Sequence, residues 1–179
     1  AVAGYFKAGP MLERIRELFG PLPRAPRPVH KPRPAPGQPG ERWVEGEGPG
    51  ETAYLELAYH APSAGDEDLI PLAVLDSALS GASNLGFLGG DISNKTSRLY
   101  RRLVEGELAA SVSGSLTASI DPYLYSISVT VRPDSTAEAA LDACDEEITK
   151  LLNDPVREEE VAKAIKQARA LFAFGTESI

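Results

Sequence analysis

Three groups of residues in this 179-residue chain have types and spacings that chemistry could use. Gly89 to Thr96 reads Gly-Gly-Asp-Ile-Ser-Asn-Lys-Thr, one substitution away from a phosphate-binding P-loop, with Asn94 where the second glycine belongs. A P-loop wraps phosphate at a helix start directly after a buried strand. The element before this loop is an amphipathic helix, so nucleotide binding is rejected. Asn94-Lys95-Thr96 also matches a glycosylation sequon, but nothing else in the chain signals a eukaryotic secretory protein, and the plain reading is a surface loop. His30 and His60 are the only histidines and lie thirty residues apart. A zinc site on a helix wants two histidines one turn apart with a carboxylate, so these two make no ligand pair and each reads as a solvated imidazole. Cys144 is the only cysteine, sits on the apolar stripe of a predicted helix, and reads as a buried thiol rather than a nucleophile. The chain therefore offers no catalytic residue and no metal ligand, and its substrate-binding residues stay unassigned.

Composition narrows the remaining classes. With 42% hydrophobic and 25% charged residues the chain is ordinary for a globular domain, and it is long enough to build one core. A net charge of −8, from 18 basic and 26 acidic residues, argues against a nucleic-acid partner, because phosphate binding needs clustered Lys and Arg. No apolar run approaches the ~20 residues of a membrane span. The chain opens on Ala1-Val2-Ala3-Gly4, strand-like and without a methionine, which reads as a piece of a longer product. Its compartment stays open between periplasm and cytoplasm.

The elements that would position any site are organised around a hairpin from Ala110 to Val131. Ala110, Val112, Gly114, Leu116, Ala118 and Ile120 alternate with Ser111, Ser113, Ser115, Thr117 and Ser119, the period-2 pattern of a half-buried strand. Tyr123, Tyr125, Ile127, Val129 and Val131 continue it after a tight turn predicted at Asp121-Pro122. Arg42 to Glu47 and Thr52 to His60 read as two further strands. Asp66 to Ser80 reads as a helix with Leu69, Leu72, Ala73, Asp76 and Leu79 on one stripe and Gly81 as its stop, and a short helix with Leu99, Tyr100, Leu103 and Val104 follows the glycine-rich loop. After the hairpin, Ser135 with Glu138 forms a predicted capping box ahead of Leu141, Cys144, Ile148 and Leu151. Asp154-Pro155 then opens a last helix with Val161, Ile165, Ala168 and Phe172. The expected fold is α+β: a four-stranded, largely antiparallel sheet with helices packed on one face, in the order β-β-α-α-β-β-α-α.

Ahead of that lobe stands a strand end at Ala1 to Ala3 and a helix carrying Met11, Leu12, Ile15, Leu18 and Phe19. Eight prolines between Pro21 and Pro39, interleaved with Arg24, Arg27, Lys31 and Arg33, then read as an extended spacer. The predicted organisation is residues 1–22 as strand and helix of a preceding lobe, 23–40 as a proline-rich linker, and 41–179 as the main lobe.

Taken together, Val2-Ala3-Gly4, Leu18-Phe19-Gly20-Pro21-Leu22-Pro23, Leu79-Ser80-Gly81, Thr96 to Leu103, Leu108 to Val112 and Asp121-Pro122 carry a family resemblance, with Ser97 to Leu103 its most specific part. The chain resembles the C-terminal, non-catalytic domain of pitrilysin/insulinase-type zinc metallopeptidases, the bacterial-type inverzincins, over nearly its whole length. The resemblance implies a half-lobe of a clam-like peptidase that closes over an extended peptide substrate, with zinc in an N-terminal lobe. The family's H-x-x-E-H string is absent here, so this chain alone is expected to be inactive and to hold no zinc. Many members also present in this lobe an arginine and, seven residues on, a tyrosine that help hold substrate; Val104 falls near the arginine position and Ala110 near the tyrosine position, so the resemblance implies that this lobe lacks the pair. The implied partners are a peptide substrate and the N-terminal catalytic lobe or a homologous subunit, with a dimer as a further option. A non-catalytic partner or scaffold subunit of the same fold is the alternative, and an adaptor built on the proline tract is a third.

Overall fold

The computed structural model describes residues 2–26, 29, 31, 37–81 and 95–177. The chain divides into two compact units, residues 1–32 and 33–178.

The first unit is built on helix α1, Ala8–Phe19. Proline sits in its first turn, where a missing N–H costs nothing, and Arg14 and Glu17 pair across one turn at 2.7 Å. Met11 and Ile15 are half-buried while Leu12, Leu18 and Phe19 are exposed, so the predicted stripe forms but has no buried residue. Residues 2 and 3, expected to end a strand, are not in one.

The second unit holds a three-stranded antiparallel sheet in the order β1-β3-β2, from β1 (Tyr54–Ala61), β2 (Ala109–Leu116) and β3 (Tyr123–Val131). The four-stranded expectation is corrected on one point: Arg42 to Glu47 forms no strand and is exposed throughout. Its sequence, Arg-Trp-Val-Glu-Gly-Glu, offers a single adjacent apolar pair and no alternating face to bury, so a strand there gains little from the core.

β3 is central because its alternation is the cleanest. Tyr125, Ile127, Val129 and Val131 are buried, and the intervening residues face away from the core. β1 contributes Leu55, Leu57 and Ala61, and β2 contributes Ala109, Val112 and Leu116. A bulge between Ala109 and Ser111 shifts the expected face by one residue, so that Ala109 is buried and Ala110 exposed. The predicted tight turn is a broader connection over residues 117–122, in which Ile120 is exposed and Ser119 accepts a backbone hydrogen bond from Ala64.

Helices cover the apolar face alone, as a sheet with one hydroxyl-rich face requires. Helix α2 (Leu69–Leu79) supplies Leu69 and Leu79, and ends at Gly81, whose φ of +101° is the left-handed stop that glycine tolerates. Leu99 caps and Leu103 lies within a π-helix, Tyr100–Glu105, and Ala140, Ala143 and Cys144 come from α3 (Ala137–Asn153). The α3 cap is Thr136 rather than the predicted Ser135: its hydroxyl accepts from the Ala139 N–H at 3.2 Å. Helix α4 starts at Glu158, three residues beyond the predicted Pro155, and runs to Glu177.

Candidate functional site

Among the described residues, none of the groups that first suggested chemistry is assembled into a site. His30 and residues 89–94 of the P-loop-like string, including Asn94 of the sequon, lie outside the described residues. Lys95 and Thr96 are exposed in a turn, where Thr96 accepts a hydrogen bond from Lys163. His60 is exposed near the end of β1. Cys144 is fully buried on α3, and burial pushes its thiol up to about 11, which removes the thiolate that metal binding or nucleophilic attack would use. Among the described residues no three His, Cys, Asp or Glu side chains gather in a way that could hold a metal ion. The described residues offer zinc no tetrahedral ligand set.

Two polar constellations do form. In the core, Asp76 of α2 is only 1% exposed, although it stands on the apolar stripe of its helix. Its Oδ1 accepts from the hydroxyl of Tyr125 at 2.8 Å and from the hydroxyl of Ser80 one turn later. A buried carboxylate needs such donors, because an unsatisfied one would cost several kcal/mol, roughly, in desolvation. The helix reaches the sheet here only because β2 presents Gly114: a Cβ at that position would collide with Ser80 Oγ and Asp76 Oδ1. The visible signal in the sequence was an acidic residue in step with leucines, opposite a glycine in an alternating strand.

The second constellation is a cleft of 590 Å³ between the π-helix segment, the end of α3 and the start of α4. Arg98 grips Glu160 with two parallel bonds, Nε to Oε1 at 2.9 Å and Nη2 to Oε2 at 2.7 Å, and the Arg157 backbone N–H adds a third at 3.1 Å. The arginine bonds, outweighing partial burial, hold the Glu160 carboxyl down at about 2. Arg98 joins segments 62 residues apart, a link no local pattern could have signalled. Arg102 pairs with Glu146 at 2.9 Å, and Lys150 with the largely buried Glu147 at 2.5 Å.

The positions compared with the family's substrate-holding pair are now placed. Val104 is half-buried and packs on the core, and Ala110 lies exposed on the bulged strand β2 with only a methyl group to offer.

The described residues define an α+β unit, a three-stranded antiparallel sheet with helices on its apolar face. The family model described as the peptidase M16 inactive domain matches residues 1–168, and the chain belongs to that family. Solved structures agree. A protease from Helicobacter pylori superposes with a TM-score of 0.72 at 20% identity, covering 94% of this chain and 38% of that one. A provisionally assigned zinc protease from Bordetella pertussis Tohama I gives 0.55 at 26% identity over 69% of this chain and 62% of its own. The inactive peptidase domain of a similarly assigned zinc protease from Bordetella parapertussis gives 0.55 at 22%, over 66% and 58%. This chain thus spans less than two thirds of each of these structures. No curated protein matches it.

Proposed function

We propose that this chain is the non-catalytic C-terminal lobe of a zinc-dependent metalloendopeptidase, closing over an extended peptide whose scissile bond is cut at a zinc site in a separate N-terminal lobe. The observation that carries this reading is the match of the inactive-domain family to residues 1–168. In the proposed arrangement this lobe binds and encloses, and the chemistry belongs to its partner. The lobe boundary is proposed to fall in the proline-rich tract at residues 23–40, with residues 1–22 belonging to the preceding lobe and 41–179 forming this one. The lobe is proposed to carry no zinc of its own.

The test uses the 179-residue chain and the full-length protein it comes from, side by side. The full-length protein is expected to cleave unstructured peptides in a chelator-sensitive way, while the chain alone is inactive and keeps no stoichiometric zinc after dialysis against a weak chelator. Peptide cleavage by the chain alone, or zinc retained by it, overturns the reading.

One observation favours a second reading, in which the intact protein is itself a partner or scaffold subunit. Val104 is committed to the core and Ala110 has no polar atom, so neither can hold a substrate as an arginine and a tyrosine would. Full-length protein that gains peptidase activity only when mixed with a homologous catalytic subunit would select this alternative.

A further inference from the structure

The chain is acidic overall, with 26 acidic against 18 basic residues, yet five of its cations line one cleft: Arg98, Arg101, Arg102, Lys150 and Arg157. Three acids share that lining, Glu147, Asp154 and Glu160, so the cleft runs against the sign of the molecule. Internal pairing accounts for part of the positive charge. Glu160 is shared between Arg98 and Arg157, Lys150 holds Glu147, and Arg102 reaches out to Glu146. Arg101 is different. It is exposed, and among the described residues it has no ion-pair partner within 4.0 Å. Its field is felt locally: after burial, the nearby Arg101 charge is the next cause that pushes the Lys163 ammonium down. A guanidinium placed beside a second cation, in the lining of this cleft, offers an anion a favourable counter-charge.

We propose that this cleft is a docking site for the carboxylates of an acidic peptide segment, with Arg101 as its anchoring cation. Carboxylate fits better than phosphate for two reasons on the page. A phosphate site draws on free backbone N–H groups at a helix start, and at the start of α4 the Arg157 N–H is already given to Glu160. Asp154 and Glu147 in the lining would also repel a dianion more strongly than single carboxylates. Planar guanidinium groups match carboxylates two bonds at a time, as Arg98 already does with Glu160. The site does not require the parent protein to be a peptidase, so it stands or falls separately from the function proposed above.

The experiment measures binding of a fluorescent oligoglutamate peptide to the 179-residue chain by anisotropy at low and at physiological salt. An oligoglutamine peptide serves as the neutral probe and inorganic phosphate as competitor. Arg101→Glu is expected to weaken oligoglutamate binding about tenfold, as the loss of a charged hydrogen bond would. Arg14→Glu, a charge reversal of the same size on α1, is expected to leave it unchanged, and Arg101→Lys to retain part of it. Since the Arg101 side chain is exposed, circular dichroism of the variant is expected to match the parent chain. Equal binding by the parent and R101E, equal affinity for the neutral peptide, or phosphate binding more tightly than the peptide overturns the proposal.

Discussion

Tyr125, on the central strand, donates its hydroxyl to Oδ1 of Asp76 on α2 at 2.8 Å, and this bond pins a helix to the middle of the sheet inside an apolar core. Burial, reinforced by the Asp76 charge, pushes the Tyr125 phenol well above its ordinary value of 10.0.

That geometry predicts a graded mutational series. Asp76→Ala takes the carboxylate acceptor from the Tyr125 hydroxyl and leaves the Ser80 hydroxyl only backbone carbonyls, and is expected to cost about 2–4 kcal/mol, and Tyr125→Phe about 1–2 kcal/mol. Gly114→Ala drives a methyl into Ser80 and Asp76 and is expected to cost as much as losing the carboxylate. Urea unfolding checks all three; a neutral Gly114→Ala would show that α2 does not lie on β2 as described.

The same phenol sets an alkaline limit. Its folded pKa is raised, so its contribution is fully present below the unfolded value of 10.0 and is lost as pH rises beyond it. Stability of the parent chain is therefore expected to fall more steeply above pH 10 than that of Tyr125→Phe, and thermal unfolding across that range checks it.

At the acid end the relevant group is Glu160. Its folded pKa is lowered from 4.5 to about 2, so its stabilising effect is present above 4.5 and lost as pH falls through that interval. Arg98→Ala removes both bonds that reach Glu160 from the π-helix segment and is expected to cost about 2 kcal/mol at neutral pH and much less near pH 2. Urea midpoints at the two pH values separate this from a general loss of packing.

Glu107 has φ of +61° directly after the π-helix, the one described non-glycine residue in the left-handed region. The neighbouring Gly106, which caps this helix, does not take that conformation. Glu107→Gly is expected to stabilise the fold by about 0.5–1 kcal/mol by relieving the contact between Cβ and the carbonyl. An unchanged or lower melting temperature would mean the Glu107 side chain contributes more than its backbone costs.

Every residue of the buried apolar core cluster lies at or after Leu55, from β1 through α3. Deleting Ala1 to Pro39 is therefore expected to leave the second unit folded, with its melting temperature lowered by no more than a few degrees. A collapse of the transition would place the boundary elsewhere.

Much of the fold was legible because its residues speak locally. Alternation along β3 and β1, the Leu69 to Leu79 stripe with Gly81 behind it, and the apolar step of Cys144 each depend on a few adjacent positions, and each element formed. One misreading arose because the second partner was out of view. Ala110 alternates correctly on paper, but the bulge that turns it outward exists only against β3. The misreading of Arg42 to Glu47 was local instead: its single apolar pair, Trp43-Val44, gives no alternating face to bury, and the segment is exposed.

The sequence by itself determined the one-faced sheet, the helices that cover it, the family and the absence of an H-x-x-E-H string, since all of these are patterns within short stretches of chain. Only the tertiary structure decided that Asp76 is satisfied by Tyr125, 49 residues away, and that Arg98 closes on Glu160, 62 residues away, while Arg101 beside it has no partner among the described residues. Burial and charge pairing are properties of space rather than of sequence distance: Asp76 becomes a core anchor, and Arg98 the partner of Glu160, only when the chain brings these groups within a few ångströms.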